Sequence, residues 1–386
     1  PNSNSLAHRT TWLRSDFGYF KAQKKGMCVM RIGILTAGGD CPGLNATIRG
    51  VVKAIYQKMD DAQIVGIVDG FKGLIEGEYH EMKPSDFWGI LTQGGTILGT
   101  ARTPYRQMKV VENDVDKVAE MKRIYRKMKL DCLLTLGGNG THKTANLLAQ
   151  EGLNVIGLPK TIDNDLWGTD VTFGFHTAVD IGTEVVDRVH TTASSHKRVM
   201  VIEIMGNKAG WLTLYTGLAG GADVVLIPEI PYDIRAVIRA VDKRAAAGRG
   251  FSILCVAEGA MDVAEAKMKK KERSQYRAEL GISTATSRIA REIEEISSFE
   301  TRTVVPGHFA RGGAPSAYDR VLASQFGTYA AKLVSQGVFG VTVAMRNNAV
   351  VHNPLSEVAG KTKLVPPDHQ LVTTARQLGI SFGDEL

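Results

Sequence analysis

The chain has 386 residues, of which 44% are hydrophobic and 23% are charged. This composition supports a sizeable core, indicates about two domains and excludes wholesale disorder. The net charge of +7 is mild, so it suits a small anionic ligand better than the strongly basic surface of a nucleic-acid-binding protein.

Residues 1–29 have no apolar stretch of a signal peptide, and a strand pattern begins only at Met30, so they are predicted to be an N-terminal tail or leader. Elsewhere no apolar run approaches the roughly 18 residues that a membrane span needs. The cysteines Cys28, Cys41, Cys132 and Cys255 form no CxxC pair. Cys132 and Cys255 lie in apolar runs, which predicts buried thiols in a reducing, cytoplasmic protein without nucleic-acid or membrane partners.

One pattern repeats along the chain: a short β-branched run, a glycine-rich turn and an amphipathic helix. In the first unit the run RIGILT (31–36) precedes the turn AGGDCPG (37–43), and apolar residues between 48 and 55 then recur at helical spacing. Further strands are predicted at QIVGI (63–67), CLLTL (132–136), NVIGL (154–158), RVMVIEI (198–204), VVLIP (224–228), FSILCVAE (251–258) and TRTVV (301–305).

Strands that alternate with helices predict parallel sheets with right-handed crossovers. The strand runs are continuously apolar, which indicates that helices cover both faces of each sheet. Because the strands are too many for one sheet, the sequence predicts an α/β protein with two Rossmann-like, three-layer α/β/α subdomains. Ligands of such folds bind beyond the carboxyl ends of the strands, so every candidate motif is expected at such an end.

Two glycine-rich loops each stand between a strand and a helix: AGGDCPG (37–43) and LGGNGT (136–141). Glycines let the backbone approach a ligand closely, and the N–H groups at the start of the next helix bind phosphate readily. Neither loop is a Walker sequence or a GxGxxG fingerprint. Each could instead be a tight turn, with Asp40 as a helix cap in the first, but the two together favour phosphate binding.

A third motif, PKTIDND (159–165), follows a predicted strand. A carboxylate there can accept the proton of a substrate hydroxyl as its oxygen attacks phosphorus. Lys160 can neutralise charge on the transferred group. Asp and Asn also favour turns on their own account, and by composition alone a plain turn is the slightly better explanation.

Cations are also predicted at strand ends: Arg102 in GTAR, Arg198 in SSHKR, Arg302 in ETRT, and His308 with Arg311 in GHFARGG. Arginine forks match phosphate oxygens, although a surface ion pair is their commoner role. The lysine-rich segment 267–279, by contrast, predicts a solvated helix face. His190 and His196 lack the spacing of a zinc pair, and the chain has no nucleophile elbow.

Taken in order, these blocks resemble the phosphofructokinase family from about residue 31 to about residue 332. The resemblance is carried by LTAGGDCPGLNATIRG, GGTILGTAR, GGNGT, PKTIDND, SSHKRVMVIEIMGNKAGWLTL, VAEG and TRTVVPGHFARGG, in the order and spacing of the family. It implies an enzyme that phosphorylates the 1-hydroxyl of fructose 6-phosphate from either ATP or pyrophosphate, with Mg²⁺ as cofactor. It also implies the fold of that family and a homo-oligomer, a tetramer in particular.

The resemblance implies three sets of site residues. The catalytic residues are Asp163, as the base, with Thr161 and Lys160 beside it. The donor pocket comprises Gly39, Arg102, Thr103, Gly138, Asn139, Gly140 and Thr141. The fructose 6-phosphate site comprises Thr161, Ile162, Asp163, Arg198, Met205, Gly206, Asn207, Glu258, Arg302, His308 and Arg311, with Arg198 and Arg302 contributed across a subunit interface.

The resemblance also divides the chain into subdomains. Residues 30–174 and 310–365 are expected to form a larger, donor-binding subdomain, and residues 175–309 a smaller one that binds the sugar phosphate. Residues 366–386 are expected to be a C-terminal tail.

Two positions bear on the phosphoryl donor, because members of this family use either ATP or pyrophosphate. Gly140 stands where pyrophosphate-dependent members carry Asp, and a glycine leaves room for the α-phosphate of a nucleotide. Lys160 is typical of the pyrophosphate enzymes but also occurs in an ATP-using branch with that glycine. An occupied volume excludes nucleotide outright, whereas an extra cation only assists, so ATP is predicted and a pyrophosphate-dependent phosphotransferase is the alternative.

Two residues depart from the family pattern. Asn139 stands where the family usually has a magnesium-associated Asp; it keeps an oxygen ligand but loses the charge, so Asp40 and Asp165 are alternative ligands. Asn207 stands where bacterial ATP-dependent members often carry an arginine. These departures motivate a third hypothesis, a catalytically weak subunit that binds sugar phosphate.

Overall fold

The computed structural model describes residues 29–112, 115–282 and 284–385. The predicted N-terminal tail, apart from its last residue, and Cys28 lie outside the described residues. The described strands are β1 (Arg31–Ala37), β2 (Gln63–Ile67), β3 (Tyr79–Met82), β4 (Cys132–Gly137), β5 (Val155–Pro159), β6 (Val199–Ile204), β7 (Val224–Leu226), β8 (Ser252–Ala257), β9 (Thr301–Val304), β10 (Val341–Arg346) and β11 (Ala349–Pro354).

Helices connect most of these strands. They are α1 (Leu44–Tyr56), α2 (Phe71–Glu76), α3 (Tyr105–Met108), α4 (Lys117–Lys127), α5 (Asn139–Gln150), α6 (Phe175–His196), α7 (Trp211–Ala219), α8 (Ile234–Ala246), α9 (Val263–Ala266), α10 (Lys270–Glu279), α11 (Ala285–Ile296), α12 (Ala317–Ser335), α13 (Leu355–Val358) and α14 (Gln370–Gln377). Short 3₁₀ turns occur at Pro84–Phe87, Ile90–Thr92 and Gly307–Arg311.

The strands form two sheets, as predicted. The larger has the order β11-β10-β5-β4-β1-β2-β3, and the smaller has the order β7-β8-β6-β9. Within the described residues the inner pairs are parallel, and antiparallel pairing is confined to the two edges of the larger sheet, β2 with β3 and β10 with β11. The chain progresses outward in opposite directions from β1 and from β4, so the crevice between these two strands is the switch point of the larger sheet.

The core explains why the predicted strand runs were apolar throughout. All residues of β4 and of β8 are buried, because helices cover both faces of each sheet. The largest cluster of buried apolar side chains includes residues of both sheets, so the two sheets share one continuous core. Cys41, Cys132 and Cys255 are buried and form no disulfide with one another, which confirms the predicted burial of Cys132 and Cys255.

Helix α1, which follows the first glycine loop, is held by close packing on α12. A Cβ at Gly327 would lie 2.6 Å from the carbonyl oxygen of Thr47, and one at Gly50 would lie 3.1 Å from that of Ser324. Glycine at both positions therefore lets the two helix backbones cross at short distance. This packing fixes the start of α1 and hence the loop that precedes it.

The predicted C-terminal tail was wrong, because most of this segment is folded. Helix α14 lies within it, Ser381 bridges to Val224 of β7, and Phe382 is fully buried. The main-chain N–H of Asp233 donates to the carbonyl of Gly383 at 2.7 Å. The segment thus covers the edge of the smaller sheet, and its apolar pattern was too short to reveal this from sequence.

The lysine-rich segment forms α10, and none of its residues is buried, which confirms the predicted solvated helix. Among the described residues, no helix combines the length and the apolar character that a membrane crossing would need.

Candidate active site

The three loops that the sequence singled out open at one edge of the larger sheet. Strands β1, β4 and β5 are neighbours, and their last residues pair in register, Ala37 with Gly137 and Gly137 with Pro159. The loops that follow carry AGGDCPG, GGNGT and PKTIDND, and they therefore start side by side at the switch point. This is the arrangement that a phosphoryl-transfer site between them requires.

Hydrogen bonds fasten these loops to one another. The main-chain N–H of Lys160 donates to the carbonyl of Gly137 at 3.1 Å, and its ammonium group donates to the carbonyl of Gly39. The hydroxyl of Thr141 donates to the carbonyl of Ala37 at 3.4 Å. The three loops consequently form one connected surface.

A fourth loop, which carries Arg102 and Thr103, joins the first glycine loop. The N–H of Gly38 donates to the carbonyl of Ala101 at 3.2 Å, and the hydroxyl of Thr100 donates to the carbonyl of Gly38 at 2.7 Å. Arg102 is exposed and Thr103 is half-buried. An exposed guanidinium beside a glycine loop can pair with phosphate oxygens that enter from solvent.

The second glycine loop passes directly into a helix, whose first turn is formed by Asn139, Gly140 and Thr141. Gly138 precedes the helix without a side-chain cap, so the first N–H groups remain available for an anion. A Cβ at Gly137 would lie 2.1 Å from the hydroxyl oxygen of Thr141, whereas a Cβ at Gly140 would have no atom of the described residues within 4 Å. The space in front of Gly140 is therefore open, as the donor argument requires.

A buried histidine braces the start of this helix. The ring of His142 is 1% exposed; its Nδ1 bonds to the carbonyl of Gly138 at 3.0 Å, and its Nε2 bonds to the hydroxyl of Thr342 at 2.8 Å. Burial lowers the pKa of His142 to about 4. The ring is therefore neutral at pH 7, with Nδ1–H donating to Gly138 and Nε2 accepting from Thr342.

Asp163 has the properties of a general base. Its Oδ1 is buried and has no hydrogen-bond partner among the described residues. Burial, followed by the charge of Asp165, raises the pKa of Asp163 to about 6, while the positive charges of Arg311 and Lys160 act in the opposite direction. A carboxylate of that pKa is ionised at pH 7 yet basic enough to accept a proton, and its unpartnered oxygen is available for a hydroxyl.

Two cations lie between Asp163 and the first glycine loop. Lys160 is 3% exposed, and burial lowers its pKa. Arg311 donates from Nη1 to the carbonyl of Asp40 at 3.1 Å, while its Nε is buried without a hydrogen-bond partner in the described residues. A Cβ at Gly39 would lie 2.7 Å from Nη1 of Arg311. Glycine at this position therefore leaves room for the guanidinium group.

Thr161 and Ile162, which precede the base, differ in whether their side chains can contact a substrate. The hydroxyl of Thr161 accepts a hydrogen bond from the N–H of Asp163 at 3.1 Å, which ties it to the base. Ile162 was expected to contact the substrate, but its side chain is fully buried. This residue can therefore meet a ligand only through its backbone.

The smaller sheet supplies a second group of predicted residues. Strands β6 and β8 are parallel neighbours, so Met205 and Gly206 come to lie beside Glu258. Oε1 of Glu258 accepts from the N–H groups of Gly206 at 3.2 Å and of Asn207 at 2.6 Å. The carboxylate of Glu258 is close enough to Asp163 to raise the pKa of that residue. The carboxyl ends of both sheets therefore face one crevice.

His308 and Arg311 share one 3₁₀ turn, Gly307–Arg311. His308 is exposed, and Arg311 reaches the first glycine loop, as described above. A cavity beside this turn is lined by Met205 and Pro306 among others. The turn thus connects the predicted sugar-phosphate residues with the predicted donor loop.

Arg198 and Arg302 do not lie at carboxyl ends, and that sequence prediction was wrong. Arg198 directly precedes β6, and Arg302 is the second residue of β9, which runs parallel to β6. At about 3.3 Å per residue, the length of β6 puts Arg198 roughly 20 Å from Met205. Both arginines pair instead with Glu300, Arg198 at 3.0 Å. Neither can therefore reach the crevice of its own chain.

Metal-binding residues are sparse at this edge. Across the part of the chain that the structure describes, no group of three or more His, Cys, Asp or Glu side chains could hold a metal ion. Asn139 uses both polar atoms elsewhere, accepting from the N–H of Gly360 at 3.0 Å and donating to the carbonyl of Lys361 at 2.8 Å. Asp40 and Asp165 offer carboxylate oxygens near the loops, which suits a divalent cation that takes further ligands from phosphate and water.

Sequence reasoning missed the segment 360–365, which contacts the second glycine loop, the PKTIDND loop and the start of α7. Its residues lie about 200 positions after those loops, and GKTKLV contains no recognisable motif. A local pattern could not have revealed this contact.

The fold and the crevice define an α/β protein of the phosphoryl-transfer class. A sequence model of the family described as Phosphofructokinase matches residues 31–334. The chain is 56% identical to the ATP-dependent 6-phosphofructokinase of Spirochaeta thermophila over 91% of this chain and 97% of that protein. It is 47% identical to ATP-dependent 6-phosphofructokinase 3 of Bacteroides thetaiotaomicron over 92% and 100%, respectively. The chain belongs to the phosphofructokinase family.

Solved structures agree with this assignment. The chain resembles phosphofructokinase from Saccharomyces cerevisiae with a TM-score of 0.70 and 29% identity, covering 85% of this chain but 45% of the yeast chain. Its fold also resembles that of a pyrophosphate-dependent phosphofructokinase from Marinobacter aquaeolei, with a TM-score of 0.74, 21% identity and coverage of 92% and 88%. The predicted family and fold are confirmed.

The burial of His142 predicts a pH dependence of stability. Its pKa of about 4 in the folded state lies below the ordinary histidine value of 6.5, so the unfolded chain binds more protons between these values. The contribution of His142 to the free energy of unfolding is therefore fully present above pH 6.5, and it falls by about 3 kcal/mol as the pH falls towards 4. Denaturant unfolding across this range should give a smaller pH dependence for His142→Gln than for the unchanged chain; equal slopes would contradict the expectation.

Proposed function

We propose that this chain transfers the γ-phosphoryl group of ATP to the 1-hydroxyl of fructose 6-phosphate, giving fructose 1,6-bisphosphate and ADP. The observation that carries the proposal is the buried oxygen of Asp163, for which the described residues supply no hydrogen-bond partner, at the edge where both glycine loops open. The names of the bacterial relatives, ATP-dependent 6-phosphofructokinases, support the same reaction.

Asp163 acts as the base. Its Oδ1 accepts the proton of the 1-hydroxyl as that oxygen attacks phosphorus, and its pKa of about 6 keeps it ionised at pH 7. Lys160, with Thr161 beside the base, stabilises negative charge on the transferred group. The chemistry needs little beyond alignment and neutralisation of charge.

The donor binds along the glycine loops. Its phosphates lie against the N–H groups at the start of α5, where the helix dipole favours negative charge. The proposed donor residues are Gly39, Arg102, Thr103, Gly138, Asn139, Gly140 and Thr141. A divalent cation, Mg²⁺ in this proposal, neutralises phosphate charge when bound, and Asp40 and Asp165 are the residues that would hold it. Asn139 fits that role less well, because its carboxamide is bonded to residues 360 and 361.

Fructose 6-phosphate binds on the opposite side of the crevice. Met205, Gly206, Asn207 and Glu258 lie there on the smaller sheet, and His308 and Arg311 lie on the turn that bridges to the donor side. The smaller subdomain, residues 175–309, therefore carries the acceptor, and residues 30–174 with 310–365 carry the donor. We also propose that the protein carries out this reaction in the cytoplasm.

ATP is preferred over pyrophosphate as the donor. The open space at Gly140 accommodates an α-phosphate that an aspartate there would displace. The relatives at 41–56% identity are named as ATP-dependent, whereas the pyrophosphate-dependent structures share 19–21% identity. Pyrophosphate dependence remains the second candidate, motivated by Lys160.

The active form is proposed to be a homo-oligomer, a tetramer as the resemblance implies. Arg198 and Arg302 lie at the amino edge of the smaller sheet, so they can bind sugar phosphate only in the crevice of another copy. Four large apolar residues, Val305, Phe309, Tyr318 and Val321, are each more than half exposed. Exposed apolar side chains of this size favour an interface.

Replacement of the base should nearly abolish turnover while substrate binding persists. For Asp163→Ser we expect kcat to fall on the order of 10²–10⁴-fold, because no carboxylate remains to accept the proton. A coupled assay for ADP measures turnover, and calorimetry measures binding of fructose 6-phosphate. Wholly retained turnover would remove Asp163 from this role.

A carboxylate at position 140 should select against ATP. Gly140→Asp introduces a negative side chain into the open space before the helix, so kcat/KM for ATP should fall on the order of 10- to 100-fold. Assays with each donor measure the effect. Gln150→Asp, which adds the same charge at the exposed end of the same helix, is the control. Undiminished use of ATP by Gly140→Asp would refute the steric argument.

Mixing two inactive chains should restore activity if the arginines act across an interface. Asp163→Ser and Arg302→Ala chains, co-expressed in equal amounts and assayed at limiting fructose 6-phosphate, should give about one quarter of wild-type activity, since each site needs one chain of each kind in the right place. A mixture of Asp163→Ser with Arg311→Ala should stay inactive, because both residues serve the same crevice. Equal failure of both mixtures would exclude the shared site.

A further inference from the structure

The segment 360–365 bonds to the second glycine loop, to the PKTIDND loop and to the start of α7, and it is called the strap here. It leaves α13 and crosses from the larger to the smaller sheet before α14 begins. We propose that the strap aligns the donor, the base and the acceptor regions of the site, and that Lys363 is the positioning residue that holds the base loop. The proposal rests on the proposed function for the identity of the base, but its contacts are independent of that identity.

The first contact fastens the strap to the donor helix. Asn139, the first residue of α5, accepts from the N–H of Gly360 at 3.0 Å and donates to the carbonyl of Lys361 at 2.8 Å. This pair of bonds needs one acceptor and one donor on the same side chain, which an amide supplies and an ionised aspartate does not. It therefore gives a physical reason for Asn139 at a position where the family usually carries Asp.

The second contact holds the base loop. The N–H of Lys363 donates to the carbonyl of Asp165 at 2.8 Å. Its ammonium group donates to Oδ1 of Asn164 at 3.1 Å and to the carbonyls of Thr169 and Asp170, each at 2.9 Å. All three acceptors belong to the stretch that follows Asp163, so the three N–H bonds of the ammonium close this loop on itself.

One of the anchored residues has a left-handed backbone conformation, which the bond from Lys363 helps to hold. Asn164 has a φ of +50°, a left-handed conformation that costs free energy for a non-glycine residue unless neighbouring contacts hold it. Its Oδ1 also accepts from the N–H of Thr172 at 3.1 Å. The Lys363 ammonium and Thr172 thus fix the residue next to the base from two sides.

The third contact reaches the acceptor side. Nε1 of Trp211, the first residue of α7, donates to the carbonyl of Lys363 at 2.9 Å, and the ammonium of Lys363 lies 5.4 Å from the centre of that ring. Oε1 of Glu229 accepts from the N–H of Val365 and from the N–H of Gly210, both at 2.9 Å. The loop 205–210 that carries the proposed acceptor residues therefore ends on the strap.

Loss of the Lys363 ammonium should lower kcat far more than it changes either KM. In Lys363→Met the side chain is unbranched and only one atom shorter but donates no hydrogen bond, so the base loop loses its three anchors. Displacement of a reacting group by about 1 Å costs on the order of 10²-fold in rate. We expect a fall of about that size in kcat, with each KM altered less than about threefold, and faster amide exchange in residues 161–172. Lys363→Arg should recover part of kcat, and exposed Lys58→Met is the matched control.

The outcomes separate the strap from the proposed function. Wild-type kcat and exchange in Lys363→Met, or a loss of kcat that merely matches the unfolded fraction measured by circular dichroism, would overturn the strap while leaving Asp163→Ser inactive. If Asp163→Ser is fully active, the proposed base fails, and faster exchange at 161–172 in Lys363→Met still supports the strap.

Asn139→Asp tests the donor end of the strap. The change restores the acid that the family usually carries but removes the N–H donor to Lys361. We expect a higher KM for ATP and faster exchange at residues 360–362. An Asn139→Asp chain with a lower KM for ATP and unchanged exchange would overturn this end of the strap.

Discussion

The site depends on one unfavourable arrangement, a carboxylate oxygen of Asp163 that is buried and finds no hydrogen-bond partner within the described part of the chain. Burial of an ionised group costs free energy unless nearby charges offset the loss of hydration. Lys160, in the same loop as Asp163, and Arg311, on the turn Gly307–Arg311, provide that offset. Lys160 is buried and Arg311 is partly buried. The charges of Asp163, Lys160 and Arg311 thus offset one another and keep the base reactive. Loss of any one of them would leave the others partly or wholly buried at a cost in free energy.

This arrangement explains the glycines around it. Gly39 leaves the space that the guanidinium of Arg311 occupies, and Gly137 leaves the space for the hydroxyl of Thr141. Gly140 differs, since nothing in the described residues fills the volume in front of it. Two of these glycines therefore serve the packing of the folded protein, while the third keeps space for a ligand, and the sequence motif alone does not distinguish them.

The sequence predicted the parts of the site that follow from strand order. Continuous apolar runs gave two covered parallel sheets, and the ends of β1, β4 and β5 then had to lie at a single edge. The segment 360–365 could not be predicted in the same way, because its contacts are main-chain bonds to residues distant in sequence. The C-terminal segment failed for a related reason: α14 has eight residues, too few for a persuasive helical period.

The misplaced arginines show what motif spacing leaves out. A parallel sheet has a carboxyl edge and an amino edge, and a residue just before a strand lies a full strand length from one just after it. Arg198 and Met205 stand in one continuous block of sequence, SSHKRVMVIEIM, yet β6 separates them to opposite edges. A single copy of this chain can present the sugar-phosphate loop or the two arginines to a given crevice, but not both. If the arginines bind substrate, then, the polarity of the smaller sheet makes association of copies part of the active site rather than an addition to it.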